Sequence, residues 1–438
     1  MNGMNKKLDE LLAFLKESPT AFHGINNLEK KLVAAGYEKF EETKTWELKP
    51  GDKGFVKRND SSIIAFKIPK KAFPGFQIVA SHSDSPAFKI KEKPELSAED
   101  KYTKLNVEAY GGMLLAPWFD RPLSVAGRVL YRDGNKVRTA LVDADEDLLL
   151  IPNLAIHMNR TANDGYSYNV QKDLLPLIGD GSAKGELMKR VAKVAGIKEK
   201  DIIGKDLFLY LRQEGSNWGA NKEYFSAPRI DNLECAFLTL EAFLGAKESD
   251  NAAVYCVFDN EEVGSQTKQG AASTFLKETL MRICLELGES REDYFRKIAG
   301  SFMVSADNAH AVHPNNTEKT DTVNKVFMNE GIVFKYSANQ KYTTDGVSSG
   351  ILKTIFNQAK VPYQEFVNRS DVLGGSTLGS IANTQVSLNT VDIGLAQLAM
   401  HSPYETAGAK DLAYMIKGIT EFYQSQILVT GSSEFEIV

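Results

Sequence analysis

The sequence has 438 residues, of which 43% are hydrophobic and 25% charged, an ordinary globular composition that supports a large core. Its formal net charge of −5 argues against a nucleic-acid surface or a polybasic membrane anchor. No apolar run is long enough to span a bilayer, and residues 1–7 lack the apolar segment of a secretory signal. We therefore expect a cytoplasmic protein that partners neither nucleic acid nor membrane.

The first ninety residues predict two helices followed by strands. Residues 5–17 have helical periodicity and stop before a Ser-Pro pair, and a second helix is predicted over residues 25–35. Short strands then lead to an apolar run that delivers His82 and Asp84 to a strand end. Residues two apart on an extended segment point the same way, so Asp84 can steady the imidazole. A surface turn is the simpler interpretation of a lone His-x-Asp.

The pattern changes near residue 91. Strand-like segments such as GRVLYRDG and KVRTALVDA have hairpin signals between them. We therefore predict a β-rich domain over residues 91–216, inserted into a catalytic domain made of residues 1–90 and 217–438. His157 ends an apolar run of this region, and on its own it is typical of a structural histidine.

Helix and strand alternation resumes near residue 217. Asp231 stands at the start of a long amphipathic helix, where its simplest role is that of an N-cap. The next apolar run, AAVYCVFDNEE, is typical of a buried parallel strand and ends in two adjacent carboxylates, Glu261 and Glu262. In such a pair, one carboxylate can hold a metal ion while its neighbour takes a proton from activated water.

Two later apolar runs also end in polar side chains, at Asp307 and at His401. In open α/β sheets, sites form beyond the carboxyl ends of the strands, so these side chains should converge. Two histidines and several carboxylates are the set expected for two divalent ions bridged by one carboxylate. No HExxH motif is present, which excludes the single-zinc proteases that carry this motif on a helix. A last helix, residues 410–428, and a short polar tail complete the predicted elements.

Blocks along nearly the whole chain resemble the aspartyl aminopeptidase family of dinuclear zinc exopeptidases. They occur in the family's order and at its spacing: FLKESPTAFHGI, SHSDSPAFKIK, WFDRPLSVAGRV, NLAIHMNR, PRIDNL, FDNEEVGS, SADNAHAVHPN, GGSTLGS and VDIGLAQLAMHS. Together with the alternation of elements, this resemblance implies an α/β fold. The catalytic domain would be α/β/α around a mostly parallel central sheet, and the inserted β-rich domain would serve for dimerisation.

The resemblance also implies a role for each candidate site residue. The implied metal ligands are His82 and Asp307 on one ion, Glu262 and His401 on the other, and Asp231 bridging both. The two ions would be zinc, with manganese or cobalt as alternatives. Glu261 would be the general base, and Asp84 would support His82. A cis peptide bond is implied between Asp231 and Asn232.

The activity implied by the resemblance is removal of the N-terminal residue, Asp or Glu by preference, from peptides. The implied substrate-contacting residues are His157, His310, Lys335 and Tyr342. Lys335 would pair with an acidic first side chain; without the resemblance it is typical of a solvated lysine at a strand edge. His157 would reach a neighbouring subunit's site in a homo-oligomer, a tetrahedral dodecamer built from dimers.

Other interpretations of the residues remain open. GVSSG matches a nucleophile elbow at Ser348, but the polar segment before it is unlike the buried strand that an elbow follows. A metal-dependent deacylase of N-acyl amino acids would use the same metal pair and differs only in needing no free α-amine. A metal-binding scaffold without activity fits less well, because it gives Glu261 no role.

Overall fold

The computed structural model describes residues 2–431 and 433–438. Within these ranges no helix is both long enough and apolar enough to cross a membrane. The α-helices are α1 (Asn2–Lys16), α2 (Ala21–Ala34), α3 (Val170–Asp173), α4 (Glu186–Ala195), α5 (Ile230–Gly245), α6 (Phe275–Glu286), α7 (Arg291–Ala299), α8 (Gly346–Gln358), α9 (Leu378–Ala382) and α10 (Asp411–Gln424).

The strands are β1 (Glu38–Phe40), β2 (Lys53–Arg58), β3 (Ser62–Lys67), β4 (Phe76–His82), β5 (Ala87–Ala98), β6 (Tyr102–Tyr110), β7 (Leu123–Asp133), β8 (Lys136–Asp143), β9 (Leu177–Asp180), β10 (Ile202–Leu211), β11 (Ser216–Trp218), β12 (Tyr224–Ala227), β13 (Ala252–Phe258), β14 (Phe302–Ala306), β15 (Ala309–His310), β16 (Ile332–Tyr336), β17 (Tyr363–Val367), β18 (Asn389–Gly394), β19 (Ala396–Leu398), β20 (Glu405–Gly408), β21 (Ile427–Gly431) and β22 (Glu434–Ile437).

Nine strands form the central sheet, in the order β1-β2-β3-β13-β4-β14-β18-β16-β17. The four middle strands, from β13 to β18 in this order, run parallel to one another and are almost wholly buried. Their continuous apolar sequences suit this place, because a strand covered on both faces presents no polar side to water. Their carboxyl ends meet at one edge of the sheet.

Helices cover both faces of this sheet. Apolar side chains of α1, α2, α5, α8 and α10 belong to one core, and those of α6, α7 and α9 belong to another. Successive residues of β13 enter the two cores in turn: Ala253, Tyr255 and Val257 the first, Val254 and Cys256 the second. The predicted α/β/α arrangement around a mostly parallel sheet is confirmed.

A second sheet begins with β5, which follows β4 and His82 of the predicted site in the chain. Its six strands are antiparallel, in the order β8-β7-β10-β5-β6-β9, and all lie within residues 87–211. It has its own core, which includes Leu123 and Leu209 of the sheet and Leu187 of α4. The division of the chain into domains at residues 91 and 216 remains a prediction.

Two predicted helix boundaries are wrong. The second helix starts at Ala21 rather than at residue 25, because Thr20 is extended and the helix begins directly after it. The last helix ends at Gln424 rather than at residue 428, where Ser425 returns to extended backbone. Beyond it, where the sequence predicts a short polar tail, the residues form the hairpin β21–β22, in keeping with the alternation of apolar and polar residues in EFEI.

Candidate metal centre

The candidate metal centre lies at the carboxyl edge of the central sheet. His82 is the last residue of β4 and pairs in register with Phe258, the last residue of β13. Glu261 and Glu262 follow β13 in a short 3₁₀ turn, and Asp307 directly follows β14. The structure thus brings together the strand ends that the sequence singled out.

Two clusters of histidine and carboxylate side chains have Asp231 in common. His82 Nε2 lies 3.5 Å from Asp231 Oδ1 and 3.4 Å from Asp307 Oδ1. His401 Nε2 lies 3.4 Å from Asp231 Oδ2 and 3.3 Å from Glu262 Oε2. The potential ligand atoms within each group are within 4.8 Å of one another. Asp231 therefore offers a different carboxylate oxygen to each group.

Hydrogen bonds from the backbone fix the positions of Asp231 and His401. Glu405 accepts the N–H of Asp231 at 3.0 Å through Oε2 and the N–H of His401 at 2.8 Å through Oε1. The peptide bond between Asp231 and Asn232 is cis, as the resemblance predicts. Asn232 Nδ2 donates to the carbonyl of Ala306 at 2.8 Å, so the start of α5 is joined to the end of β14.

Asp84 connects His82 to the glutamate pair. Its Oδ1 accepts the N–H of Glu261 at 3.1 Å, and its Oδ2 accepts the N–H of Glu262 at 3.2 Å. Oδ1 also lies 3.4 Å from His82 Nδ1, and Tyr110 donates its hydroxyl to Oδ2 at 2.7 Å. Partners of this kind set the orientation and basicity of metal-binding side chains.

The donor set fits divalent cations. Burial, together with the charges of Asp307 and Asp231, raises the pKa of Glu261 to about 8, although His82 lowers it. Burial and the charge of Asp231 also raise the pKa of Glu262. Asp231 Oδ1 and Glu262 Oε1 are buried without a hydrogen-bond partner among the described residues. Such oxygens are costly to bury alone, and cations held with histidine nitrogens would satisfy them.

A family model described as aminopeptidase I zinc metalloprotease (M18) matches residues 14–423. The chain belongs to the M18 family. A probable M18 family aminopeptidase 2 of Clostridium acetobutylicum is 47% identical to it over 422 residues, which cover 94% of this chain and 98% of that protein. This M18 protein is therefore a zinc metallo-aminopeptidase.

Two solved structures illustrate how closely the fold of this M18 aminopeptidase matches its relatives. A chain in the cryo-EM structure of the Ape4 and Nbr1 complex aligns with a TM-score of 0.92 at 37% identity, covering 95% of this chain and 85% of that one. A chain of the S. cerevisiae mApe1 dodecamer aligns with a TM-score of 0.85 at 26% identity, covering 97% of each.

In this M18 aminopeptidase, a cavity of about 310 Å³ lies against the candidate metal centre. Its wall includes Glu261 and the three residues to which the resemblance gives substrate contacts on this chain, His310, Lys335 and Tyr342. Desolvation by the surrounding wall lowers the pKa of His310, so its imidazole is neutral at pH 7. A neutral imidazole still carries one N–H donor.

Lys335 is buried, with only 2% of its surface exposed, so the interpretation of a solvated strand-edge lysine is wrong. Its Nζ donates to the carbonyls of Asp307 at 2.8 Å and Asn308 at 3.1 Å. It also lies 3.4 Å from Asp307 Oδ2 and 5.4 Å from the ring centre of Tyr342. Lys335 therefore supports the loop that carries Asp307, and it supplies a positive charge at the wall of the cavity.

Two other candidates lie outside this cavity. His157 is exposed in the segment between β8 and α3 and is absent from the cavity wall of its own chain. Ser348 belongs to α8, where its N–H and hydroxyl form a capping box with Asp345. Because it caps a helix instead of following a buried strand, the serine-hydrolase interpretation is wrong for this chain.

Sequence reasoning missed Tyr110 and Glu405. Tyr110 ends a strand of the second sheet, and Asn260 Nδ2 also donates to its hydroxyl at 2.8 Å. Glu405 follows His401 in a turn-rich segment and is 2% exposed. Neither residue stands at the end of an apolar run of the central sheet, so no periodic signal pointed to them.

Proposed function

We propose that this aminopeptidase holds two divalent cations and removes the N-terminal residue, Asp or Glu by preference, from peptides. The observation that carries the proposal is the position of Asp231, whose two oxygens approach different histidines. His82 and Asp307 complete one ligand set, and Glu262 and His401 complete the other. Zinc is the ion of the family, and manganese or cobalt would suit the same oxygen and nitrogen donors.

Glu261 is the proposed general base. When bound, the cations would lower the pKa of a water molecule and polarise the scissile carbonyl. The Glu261 carboxylate lines the cavity near His82 and Glu262, and bound cations would lower its pKa so that it can accept a proton. It passes that proton to the leaving amine. His310 and Tyr342 donate to the oxyanion that develops on the substrate.

Lys335 supports the proposed preference for an acidic first residue. Its buried ammonium group lies in the cavity wall, where it could form a charge-assisted hydrogen bond with the carboxylate of an acidic first residue. Two carbonyls already accept from its ammonium group, which fixes the position of the charge before substrate arrives.

The predicted domain of residues 91–216, which contains most of the second sheet, is the proposed dimerisation unit, with residues 1–90 and 217–438 as the catalytic domain. His157 lies beside exposed apolar side chains, Leu154, Ile156 and Met158, a surface that suits contact with another subunit. We propose that it reaches the partner's cavity. The S. cerevisiae relative is a dodecamer, and we propose a tetrahedral dodecamer built from dimers here, in the cytoplasm.

Hydrolysis of aminoacyl reporters tests the proposed reaction. The panel contains Asp, Glu, Leu and Lys reporters, each with a free or an N-acetylated α-amine, on metal-loaded and chelated enzyme. We expect chelator-sensitive cleavage of the free-amine reporters alone, with Asp and Glu fastest. Cleavage of the acetylated series would favour the metal-dependent deacylase instead, and faster cleavage of Leu would refute the acidic preference.

Light scattering and subunit mixing test the assembly. A mass of twelve chains is expected for the intact protein. If His157 serves a neighbour, mixing His157→Ala subunits with Glu261→Gln subunits should restore some activity. The His157→Ala subunit keeps Glu261 in its own site, and the Glu261→Gln neighbour supplies an intact His157 to that site. Mixed assemblies that stay inactive would contradict this role.

A further inference from the structure

A second cavity, of about 400 Å³, lies behind the metal centre. Its wall combines the segment before and at the start of α2, strand β10 of the second sheet, and residues 83–87 and 402–405. Asp231 contributes to the walls of both cavities. The proposed reaction makes no use of this space, whose volume is that of a pocket for a small organic molecule.

The cavity wall contains a guanidinium group without an anionic partner. Arg229 donates from Nε to the carbonyl of Ser18 at 2.9 Å and from Nη2 to the carbonyl of Leu15 at 2.7 Å. No carboxylate among the described residues forms an ion pair with it, and its Nη1 makes no hydrogen bond to them. A guanidinium stays protonated in proteins at neutral pH, so the group is a cation.

Two further cations of the wall share a single carboxylate. Lys89 Nζ and Arg128 Nε each lie 3.0 Å from an oxygen of Asp206. Four further carboxylates line the cavity, Asp84, Asp231, Asp259 and Glu405, and two of them, Asp84 and Glu405, accept backbone N–H groups of the metal centre. Among the described residues, Asp206 is the one carboxylate that forms ion pairs with Arg229, Lys89 or Arg128.

Part of the cavity wall is apolar and can contact an apolar group of a ligand. Phe22, Trp118, Phe208 and Leu211 line the cavity, and the Arg128 guanidinium lies 4.2 Å from the ring centre of Phe22. A bare inorganic anion would leave this apolar surface against water. A ligand with a carboxylate at one end and an aromatic or aliphatic group at the other would use both parts.

We propose that the cavity between α2 and β10 binds a small amphipathic carboxylate, with its charged end on Arg229 and its apolar end against Phe22, Trp118 and Phe208. This site is separate from the cavity at Lys335, and it does not depend on the proposed function. An occupant would contact Asp84 and Glu405, which accept hydrogen bonds from the backbone of the proposed metal ligands and general base.

Calorimetry on the metal-loaded full-length protein tests the proposal, with N-acetylphenylalanine and its carboxamide as probes. We expect the acid to bind at least about tenfold more tightly than the amide, because a charged acceptor strengthens the contact with Arg229. Arg229→Gln should weaken the acid about tenfold and leave the amide unchanged. Because Arg229 also holds two carbonyls, folding of this variant is checked by circular dichroism.

A second variant serves if Arg229→Gln does not fold. Ala21→Leu places extra volume in the wall at the start of α2 and should weaken the acid and the amide alike. The proposal would be overturned by no binding at about 10 mM probe, by equal affinity for acid and amide, by affinity unchanged in the variants, or by inorganic phosphate binding as tightly as the acid. Competition between N-acetylphenylalanine and an aminoacyl substrate, unaltered by Ala21→Leu, would assign the probe to the metal centre and also overturn it.

Discussion

The hydroxyl of Tyr110 donates a hydrogen bond of 2.7 Å to Oδ2 of Asp84. Tyr110 ends strand β6 of the second sheet, whereas Asp84 accepts the backbone N–H groups of both Glu261 and Glu262. One contact therefore joins the inserted sheet to the residues proposed for proton transfer and metal binding.

Tyr110→Phe should lower kcat on the order of tenfold, since a hydrogen bond to a charged group contributes about 1.5–3 kcal/mol. KM should change little, because Tyr110 lies outside the wall of the cavity proposed for substrate. Steady-state kinetics and metal analysis check this result. Tyr102→Phe, at an exposed tyrosine of the same strand, is the matched control and should behave as wild type.

Glu261→Gln should retain both metal ions and lose about 10²–10⁴-fold in kcat. The amide preserves the shape of the side chain but cannot accept a proton. The neighbouring variant Glu262→Gln should instead lose metal, because Glu262 lies 3.3 Å from His401 Nε2. Metal content by mass spectrometry distinguishes them, and metal loss in the Glu261 variant would mean that the two roles are exchanged.

Chelation should lower the thermal midpoint of the wild-type protein. A ligand that binds only the folded state at about one hundred times its Kd contributes about 2.7 kcal/mol, and removal also restores repulsion between buried carboxylates. Asp231→Asn should show a much smaller effect of chelator, because both ligand sets use Asp231. Equal shifts in the two proteins, measured by scanning calorimetry, would argue against metal at this centre.

Gly394→Ala should destabilise the protein by about 1–3 kcal/mol and reduce metal binding. A Cβ there would lie 1.8 Å from the carbonyl oxygen of Asp307, so strand β18 or the Asp307 loop has to move. Gly350→Ala in α8 is the control, since no atom lies within 4 Å of its added Cβ. Denaturant unfolding should show the control to be about 0.5–1 kcal/mol more stable than wild type.

Lys335→Gln should lower the ratio of kcat/KM for Asp over Leu reporters about tenfold. The loss follows from removal of the buried charge at the cavity wall. Lys341→Gln, at an exposed lysine nearby in sequence, should leave the ratio unchanged. A uniform loss with both reporters would indicate that Lys335 acts only by supporting Asp307.

The parts of the site that the sequence predicted are those produced by buried parallel strands. Apolar runs that stop at His82, Glu261 and Asp307 become adjacent because the carboxyl ends of neighbouring parallel strands share one edge. The resemblance then assigned roles that strand patterns alone leave open, such as that of Asp231, and correctly implied the cis bond that follows it.

The parts that were missed depend on contacts between distant segments. Tyr110 meets Asp84 only because β6 pairs with β5, and local periodicity carries no information about that contact. The burial of Lys335 follows from its place beneath the Asp307 loop, which a lone lysine in a strand does not reveal. The end of the last helix was misjudged because local propensity near Ser425 does not specify the pairing of Ile427 with Ile437.

The dispersal of the ligands along the chain affects how the enzyme first becomes active. His82, Asp231 and Asp307 form one set, but the other set needs His401, which follows strand β18. A growing chain that has not yet reached residue 389 lacks β18, one of the two sheet neighbours of β14, and also lacks the second histidine. On the proposed two-ion mechanism, a chain that is still being synthesised therefore has no complete catalytic centre until residue 401 has been added.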